Sequence, residues 1–580
     1  MSTILPSIPP AMTRDIPVAD DLKAWLAAFE AKHGHPPRVL HIGNIANNAY
    51  INAKLLNAAG VDCDVLCYDY YHIMGCPEWE DADFDGEFKN QFVPDWGAVD
   101  LNGFERPRWF AQGPLKCCIR YLVAKRQGKR LKAWFFWQVM EAYRHQISSQ
   151  DLRHLRTVAR TIRFLVSLIP RLENAWLRLR NTARAIPLAV LPRPIKAPLR
   201  RLASRWHASP DSCSFFNRRV EELIQSFQDA FPHRPDKLTA TDLSRYRQIT
   251  PSMRDLLSRY DIVQAYATDP IYPLLCGKRP YLAFEHGTLR TFTMDDEPVH
   301  RTTALAYNRA DHAFITNGDC LEYARKINVP NFSPMLHPID EQRIRDVPGQ
   351  YAALHEQYRA KYLFLCTLRH EWEIKGTDAY LRALPALRQA IGCSFKVILT
   401  KWGREIEESR NLIRQLGAED LVVWVEPLPR IKLISTLKSV DVLFDQISLP
   451  HFGATAPEGI AAEVPVIMSY DPRSTAWIVP EPAPILSAWT VEDVVKDVLL
   501  AIDPAWLKDY KIRARDWFDR CHSSRLVVDG HLRTYAQVWG PANASERSNH
   551  EPTSPTTQTA LRGDCQVLGL QDNGVRLQSA

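Results

Sequence analysis

The 580-residue sequence has no run approaching the ~20 consecutive apolar residues that cross a bilayer, which argues against a transmembrane helix. Its opening, MSTILPSIPPAMTRDIPVADD, lacks both a basic start and a sustained apolar stretch. No secretion signal is therefore expected, and a cytoplasmic location is. The 12 cysteines are scattered, without a Cys-x-x-Cys pair or His and Cys partners at zinc spacing. Their placement in segments such as VDCDVLC and YLFLC points to buried free thiols rather than a metal or redox site. No Asp-x-Asp stands in a loop suited to an ion: the DADFD run at Asp81 to Asp85 reads as a solvated acidic stretch, and no catalytic metal is expected.

What is present is the composition of a globular protein, 46% apolar and 24% charged. The length exceeds what one core usually supports, so two domains with insertions are expected. RVLHIGN from Arg38 reads as an apolar strand ending at Gly43-Asn44, followed by a helical stretch to Ala59 and a second strand in VDCDVLCYD. That is a βαβ unit of a parallel sheet. The pattern resumes in DIVQAYA, RPYLAFEHG, DHAFITN and NFSPMLHP, and the first domain is expected to close near Asp340. A second series runs through YLFLCTLR, FKVILTKWG, LVVWVEPL, VDVLFDQ and EVPVIMS. The expected architecture is thus α/β: two doubly wound, Rossmann-like domains facing across a cleft, with ligands at the C-terminal strand ends. The boundaries read as an N-terminal extension over 1–35, a first domain over 36–340 and a second over 341–503. Terminal helices follow over 504–540, and a Pro/Ser/Thr/Asn-rich tail over 541–580 reads as disordered.

The net charge of +6 is unevenly spread. From Leu101 to Trp206, 23 Lys/Arg stand against 4 Asp/Glu, a local excess of +19. Helical patterning replaces the βα alternation here, giving a basic helical insertion at about 104–209. In DLRHLRTVARTIRFLVSLI, Leu152, Leu155, Val158, Ala159, Ile162, Leu165, Val166 and Ile169 share one stripe, with Arg153, Arg156, Arg160 and Arg163 beside it. Such a helix could lie on an anionic membrane surface, or its apolar face could pack on the first domain while the arginines are solvated. No recognised nucleic-acid motif accompanies the charge, so nucleic acid is not an expected partner.

The chemistry-bearing residues gather in the second series. LCTLRHEWEIKGTD places Arg369 just after a strand and Lys375-Gly376 just before a helix, two cations at the mouth of the sheet that suit a diphosphate. DVLFDQISLPHFGATAPEGIAAEVPVI reads as strand, glycine-containing loop, helix and strand. Gly453 permits close backbone approach, and the helix start offers amides and a positive dipole end to phosphate. Glu458, in the first turn, could accept hydrogen bonds from ribose hydroxyls. Thr455-x-x-Glu458 also matches a capping box, with Pro457 suited to a first turn.

With these residues in view, the span from Arg38 to about Trp539 resembles the retaining family 4 glycosyltransferases of the GT-B fold, most strongly from Tyr362 to Met468. The resemblance rests on Arg369 with Lys375-Gly376, and on Phe452, Gly453 and Glu458 as the Phe-Gly-x-x-x-x-Glu part of a Glu-x7-Glu motif. It implies that Arg369 and Lys375 bind and stabilise the donor diphosphate, and that Glu458 holds the donor ribose. His451, Phe452, Gly453, Ala454 and Thr455 are the implied remainder of the donor loop. In the first domain it places Gly43 and Asn44 near the donor, and His286 of EHGT against the sugar. Asp445-Gln446 before the loop resembles members that build surface polysaccharides. The implied activity is metal-independent transfer of a hexose-type sugar from a nucleotide-sugar, a co-substrate with no cofactor, to a glycan or lipid-linked acceptor in polysaccharide or glycoconjugate biosynthesis. The terminal helices would cross back onto the first domain.

One departure stands out: Pro450 occupies the place of the motif's first Glu, which contacts the transferred sugar in the family. It supports a different class of function, a catalytically silent GT-B scaffold that binds nucleotide or glycan in an assembly complex. A sugar-nucleotide epimerase would need a carboxylate pair near the sugar carbon, and the sequence offers none.

Overall fold

The computed structural model describes residues 16–86, 88, 90–146, 211–292 and 296–540. The strands of the first series are β1 (Arg38–Ile42), β2 (Asp62–Tyr68), β3 (Phe110–Gly113), β4 (Ile262–Tyr266), β5 (Tyr281–Phe284), β6 (His312–Ile315) and β7 (Phe332–Pro334). They form a parallel sheet in the order β3-β2-β1-β4-β5-β6-β7. The second series gives β8 (Tyr362–Cys366), β9 (Phe395–Thr400), β10 (Val422–Val425), β11 (Val442–Phe444), β12 (Val466–Met468) and β13 (Leu486–Ser487). These are also parallel, in the order β10-β9-β8-β11-β12-β13. The α/β class with two doubly wound sheets is therefore the observed architecture.

The strands read as near-continuous apolar runs because both faces are covered. Val39, Leu40 and Ile42 of β1 and Leu363, Phe364 and Leu365 of β8 are fully buried. Each sheet reverses its winding at one place, between β1 and β4 in the first and between β8 and β11 in the second. The loops leaving these four strands therefore diverge and open a crevice at each switch point, which is where open α/β sheets take ligands.

The terminal helices join the two halves. In helix Pro504–Cys521 the Tyr510 hydroxyl donates to the Val464 carbonyl at 2.9 Å, beside β12. Helix Ser524–Trp539 packs on the first sheet, where the Tyr535 hydroxyl donates to Gln264 Oε1 at 2.8 Å from within β4. The N-terminal helix Asp20–His33 is tied to the same place, its preceding Ala19 amide donating to Asp529.

Two features differ from the sequence reading. The basic segment expected to be purely helical from about 104 opens with β3, an edge strand paired in parallel with β2. Its four residues, FAQG, are too short for a period to show. The helices Leu115–Arg126 and Arg130–Gln146 that follow bury Leu122, Phe136, Trp137 and Met140 in the first domain. The amphipathic stretch at 152–169 and the tail from 541 lie outside the described residues. The acidic run at 81–85, expected to be solvated, is partly internal. Asp81 accepts the Tyr50 hydroxyl at 2.6 Å and pairs with Lys54 and Arg343, and Asp85 pairs with Lys432 of the second half.

Candidate functional site

The loop after β8 and the loop after β11 flank the switch point of the second sheet, and they are laced together. Lys375 Nζ donates to Gln446 Oε1 at 2.8 Å, and Gln446 Nε2 donates to the His451 carbonyl at 2.5 Å. The Ile447 amide donates to the Lys375 carbonyl at 3.0 Å. Gly376 makes this approach possible. It has φ +65°, and a Cβ there would stand 3.2 Å from Ile447 Cβ and from the Ser448 nitrogen. Burial lowers the Lys375 ammonium from its usual range, while the buried Asp445 carboxylate nearby pulls the other way. Arg369, about half exposed, stands 3.3 Å from Glu371.

Helix Thr455–Ala461 begins where the sequence placed it, but without a side-chain cap. Ala454 is the N-cap, so the capping box read from Thr455 and Glu458 is not formed. The Glu458 carboxylate is instead gripped through both oxygens by Arg430, with Nη1 to Oε2 at 2.8 Å. Arg430 opens helix Arg430–Leu437 and also lies 3.5 Å from Glu80 of the first domain. Phe452 is turned inward against Tyr470, Trp517 and His522, an anchor for its loop. A Cβ on Gly453 would meet open space, so the fold itself does not demand glycine there.

Between the halves lies a cavity of about 310 Å³. Arg369, Lys375, Ala454, Thr455 and Glu458 line it, with Thr400, Trp402 and Arg430 from the same domain. The first domain contributes Ala46, Asn48, Trp79 and Glu80, and His337 enters from the segment joining the sheets. The Trp402 indole is fixed by donation to the Thr367 carbonyl at 2.9 Å, while the buried Thr400 hydroxyl has no partner. The arrangement thus offers cations, helix amides, an aromatic wall and a paired carboxylate to one ligand.

At the first sheet's switch point Gly43 has φ +90°, and a Cβ there would fall 2.6 Å from Asp269 Oδ2. Asn44 is a structural clasp: its amide donates to Asn47 and to the Gly75 carbonyl, and its oxygen accepts the Tyr50 amide. Asp269, just beyond β4, accepts the Tyr68 hydroxyl at 2.5 Å, and burial pushes its carboxyl up to about 7. His286 follows β5 and stacks on Tyr266 with ring centroids 5.6 Å apart. Burial lowers its imidazole to about 3, and its buried Nε2 has no hydrogen-bond partner. His451 is likewise lowered by burial.

The structure therefore brings Arg369, Lys375, Ala454, Thr455 and Glu458 onto one wall. Phe452 and Asn44 are placed in the interior. Sequence reasoning missed Arg430, His337, Asp269 and Trp402. Only the position of Trp402 and Asp269 just beyond apolar strands could have marked them. No residue of the described part belongs to a group of three or more His, Cys, Asp or Glu placed to hold a metal ion.

No family model matches the chain, and no curated protein matches it. Solved structures to which it is similar include a sucrose-phosphate synthase from Thermosynechococcus elongatus, at 14% identity and a TM-score of 0.38, covering 50% of this chain and 79% of that one. A glycosyltransferase from Rickettsia africae is similar at 15% identity and a TM-score of 0.42, covering 52% and 82%. A UDP-forming trehalose-phosphate synthase from Burkholderia xenovorans is similar at 11% identity and a TM-score of 0.39, covering 57% and 86%.

Proposed function

We propose that the chain is a glycosyltransferase that binds a nucleotide-sugar in the cleft and moves the sugar, a hexose or a close relative, to a glycan or lipid-linked acceptor. The observation that carries this reading is the convergence of Arg369, Lys375 and Glu458 on one cavity beside the start of helix Thr455–Ala461. Sugar transfer leaves negative charge on the departing diphosphate. Pre-placed cations and helix amides stabilise that charge, each contact supplying on the order of 2.7–4 kcal/mol in comparable sites. The proposed reaction proceeds with retention, the diphosphate accepting the acceptor's proton on the same face, and the charge stabilisation is assigned to Arg369, Lys375 and the amides rather than to a metal. Closure of the halves over the donor would exclude water and limit hydrolysis.

We place this activity in polysaccharide or glycoconjugate biosynthesis, at the cytoplasmic face of an anionic membrane. Support for membrane contact comes from the start of helix Arg130–Gln146. There Leu131 and Trp134 are 85% and 60% exposed, beside exposed Lys129, Arg130 and Lys132. An apolar tip within a basic collar suits a bilayer interface.

The test is thermal stabilisation by UDP-, GDP-, dTDP- and ADP-sugars in the presence of a chelator, for the native chain, Arg369→Ala, Lys375→Ala and Glu458→Ala. A ligand at 100 times its dissociation constant adds about 2.7 kcal/mol. Stabilisation by one nucleotide class, lost in the folded variants, supports the donor site. No stabilisation by any of them would favour the silent scaffold, for which Pro450 is the specific observation: its carbonyl accepts the Ser474 hydroxyl at 2.6 Å and the Asp471 amide at 3.0 Å.

A further inference from the structure

His337 sits in the segment that leaves β7 and leads into the second domain, with buried Leu336 before it and Ile339 soon after. Three parts of the molecule meet there. Its own carbonyl lies 3.1 Å from His522 Nε2, at the bend between the terminal helices. His522 in turn packs against Phe452 of the donor loop, and His337 lines the cleft cavity together with Asn48, Ala454 and Glu458. The backbone is thus anchored at the edge of the ligand space. Its Nε2 is buried without a hydrogen-bond partner, as is that of His286. An unpaired buried polar atom is costly, and one lining a cavity is matched when a ligand supplies the missing partner.

The neighbours of this ring identify the kind of partner. His337 lies within electrostatic reach of His286 and of His451, each imidazole disfavouring charge on the next. Burial, seconded by His451, lowers His337 to about 4, so the ring is neutral at physiological pH. The cations suited to a diphosphate, Arg369 and Lys375, come from the loop after β8, and the paired carboxylate Glu458 comes from the helix after β11. A neutral ring grouped with two other neutral rings suits a hydroxyl-bearing group, because it can donate to or accept from an OH but adds no charge for a phosphate.

We propose that His337 contacts the donor sugar, its Nε2 hydrogen-bonding a hydroxyl of the group to be transferred. This inference rests on the glycosyltransferase reading, and it assigns to the segment between the domains a part in recognising the sugar. The test compares binding of UDP with UDP-glucose, GDP with GDP-mannose, and ADP with ADP-glucose by calorimetry, for the native chain, His337→Ala and His337→Gln.

For the pair that binds, His337→Ala should weaken the nucleotide-sugar roughly tenfold, as expected for one lost hydrogen bond, and leave the nucleoside diphosphate within about twofold. His337→Gln, whose amide can reach the place of Nε2, should restore most of the loss. Equal effects on both members of the pair, or none on either, would overturn the assignment, as would a native chain that binds the diphosphate but not its sugar. A native chain that binds none of the ligands would refute the donor reading itself, a separate outcome. Should His337→Ala fail to fold, His337→Phe, which keeps the bulk of the ring but has no hydrogen-bonding nitrogen, takes its place: a selective loss of the nucleotide-sugar upholds the proposal, and equal effects on both ligands or none on either overturn it.

Discussion

Arg430 donates to both carboxylate oxygens of Glu458 across 28 positions of sequence, and it does so on the wall of the cleft. The same guanidinium lies 3.5 Å from Glu80 in the first domain. The carboxylate expected to hold the donor ribose is therefore oriented before any ligand arrives. Its charge is balanced by a side chain that also touches the opposing half. Both members are largely removed from water, so their pairing is closer to a buried bridge than to a surface one.

Breaking this pair from one side should be costly. Arg430→Ala leaves Glu458 without its partner, and loss of one member of a buried pair typically destabilises by about 3–5 kcal/mol. Adding Glu458→Gln should recover part of that loss, because the stranded charge is removed. Denaturant unfolding of both single variants and the double variant measures the coupling; strictly additive effects would contradict the pairing.

The carboxyl of Asp269 should make stability depend on pH. Burial raises it to about 7, with the Tyr68 hydroxyl opposing, whereas an unfolded aspartate titrates near 3.9. Between these values the folded chain binds the extra proton, so this group's contribution declines as pH rises through the window and is constant above it. The melting temperature of Asp269→Asn should gain on that of the native chain from pH 4.5 to pH 8. A constant difference would place the carboxyl in water.

Acid should destabilise the molecule through its buried imidazoles. Burial holds His312, His337, His370 and His531 at about 4 and His286 and His522 at about 3. Unfolded histidine titrates near 6.5, so below that pH the unfolded chain takes up the protons and stability is lost as pH falls. Each such group weighs on the order of 1 kcal/mol per pH unit in that window. The melting temperature should fall steadily from pH 7 to pH 4.5, a trend that an unchanged melting temperature would refute.

Membrane contact through the exposed tip is tested by Leu131→Glu combined with Trp134→Glu. These positions are 85% and 60% exposed, so the fold should tolerate the change. Sedimentation with vesicles rich in phosphatidylserine should lose most of the bound protein, while nucleotide binding stays as in the native chain. Undiminished sedimentation would locate the contact elsewhere or remove it.

Much of the fold was legible because parallel strands covered on both faces must be apolar along their length. VLHI, YLFL and VILT announce themselves without any partner in view. Lys375-Gly376 was legible for a related reason, since a left-handed turn between a strand and a helix favours glycine. β3 and β13 were missed because four-residue and two-residue strands carry no period. The acidic run at 81–85 was misread because the partners of Asp81, which are Lys54 and Arg343, stand far away in sequence.

Local sequence determined the two parallel sheets and the cations beside the second one, since those follow from hydrophobic runs and from the turns that end them. Only the tertiary structure decided which groups share the cleft. Glu80, His337, Arg430 and Glu458 line it from four separate segments. Pairing and burial depend on distance in space, which no short window of sequence contains.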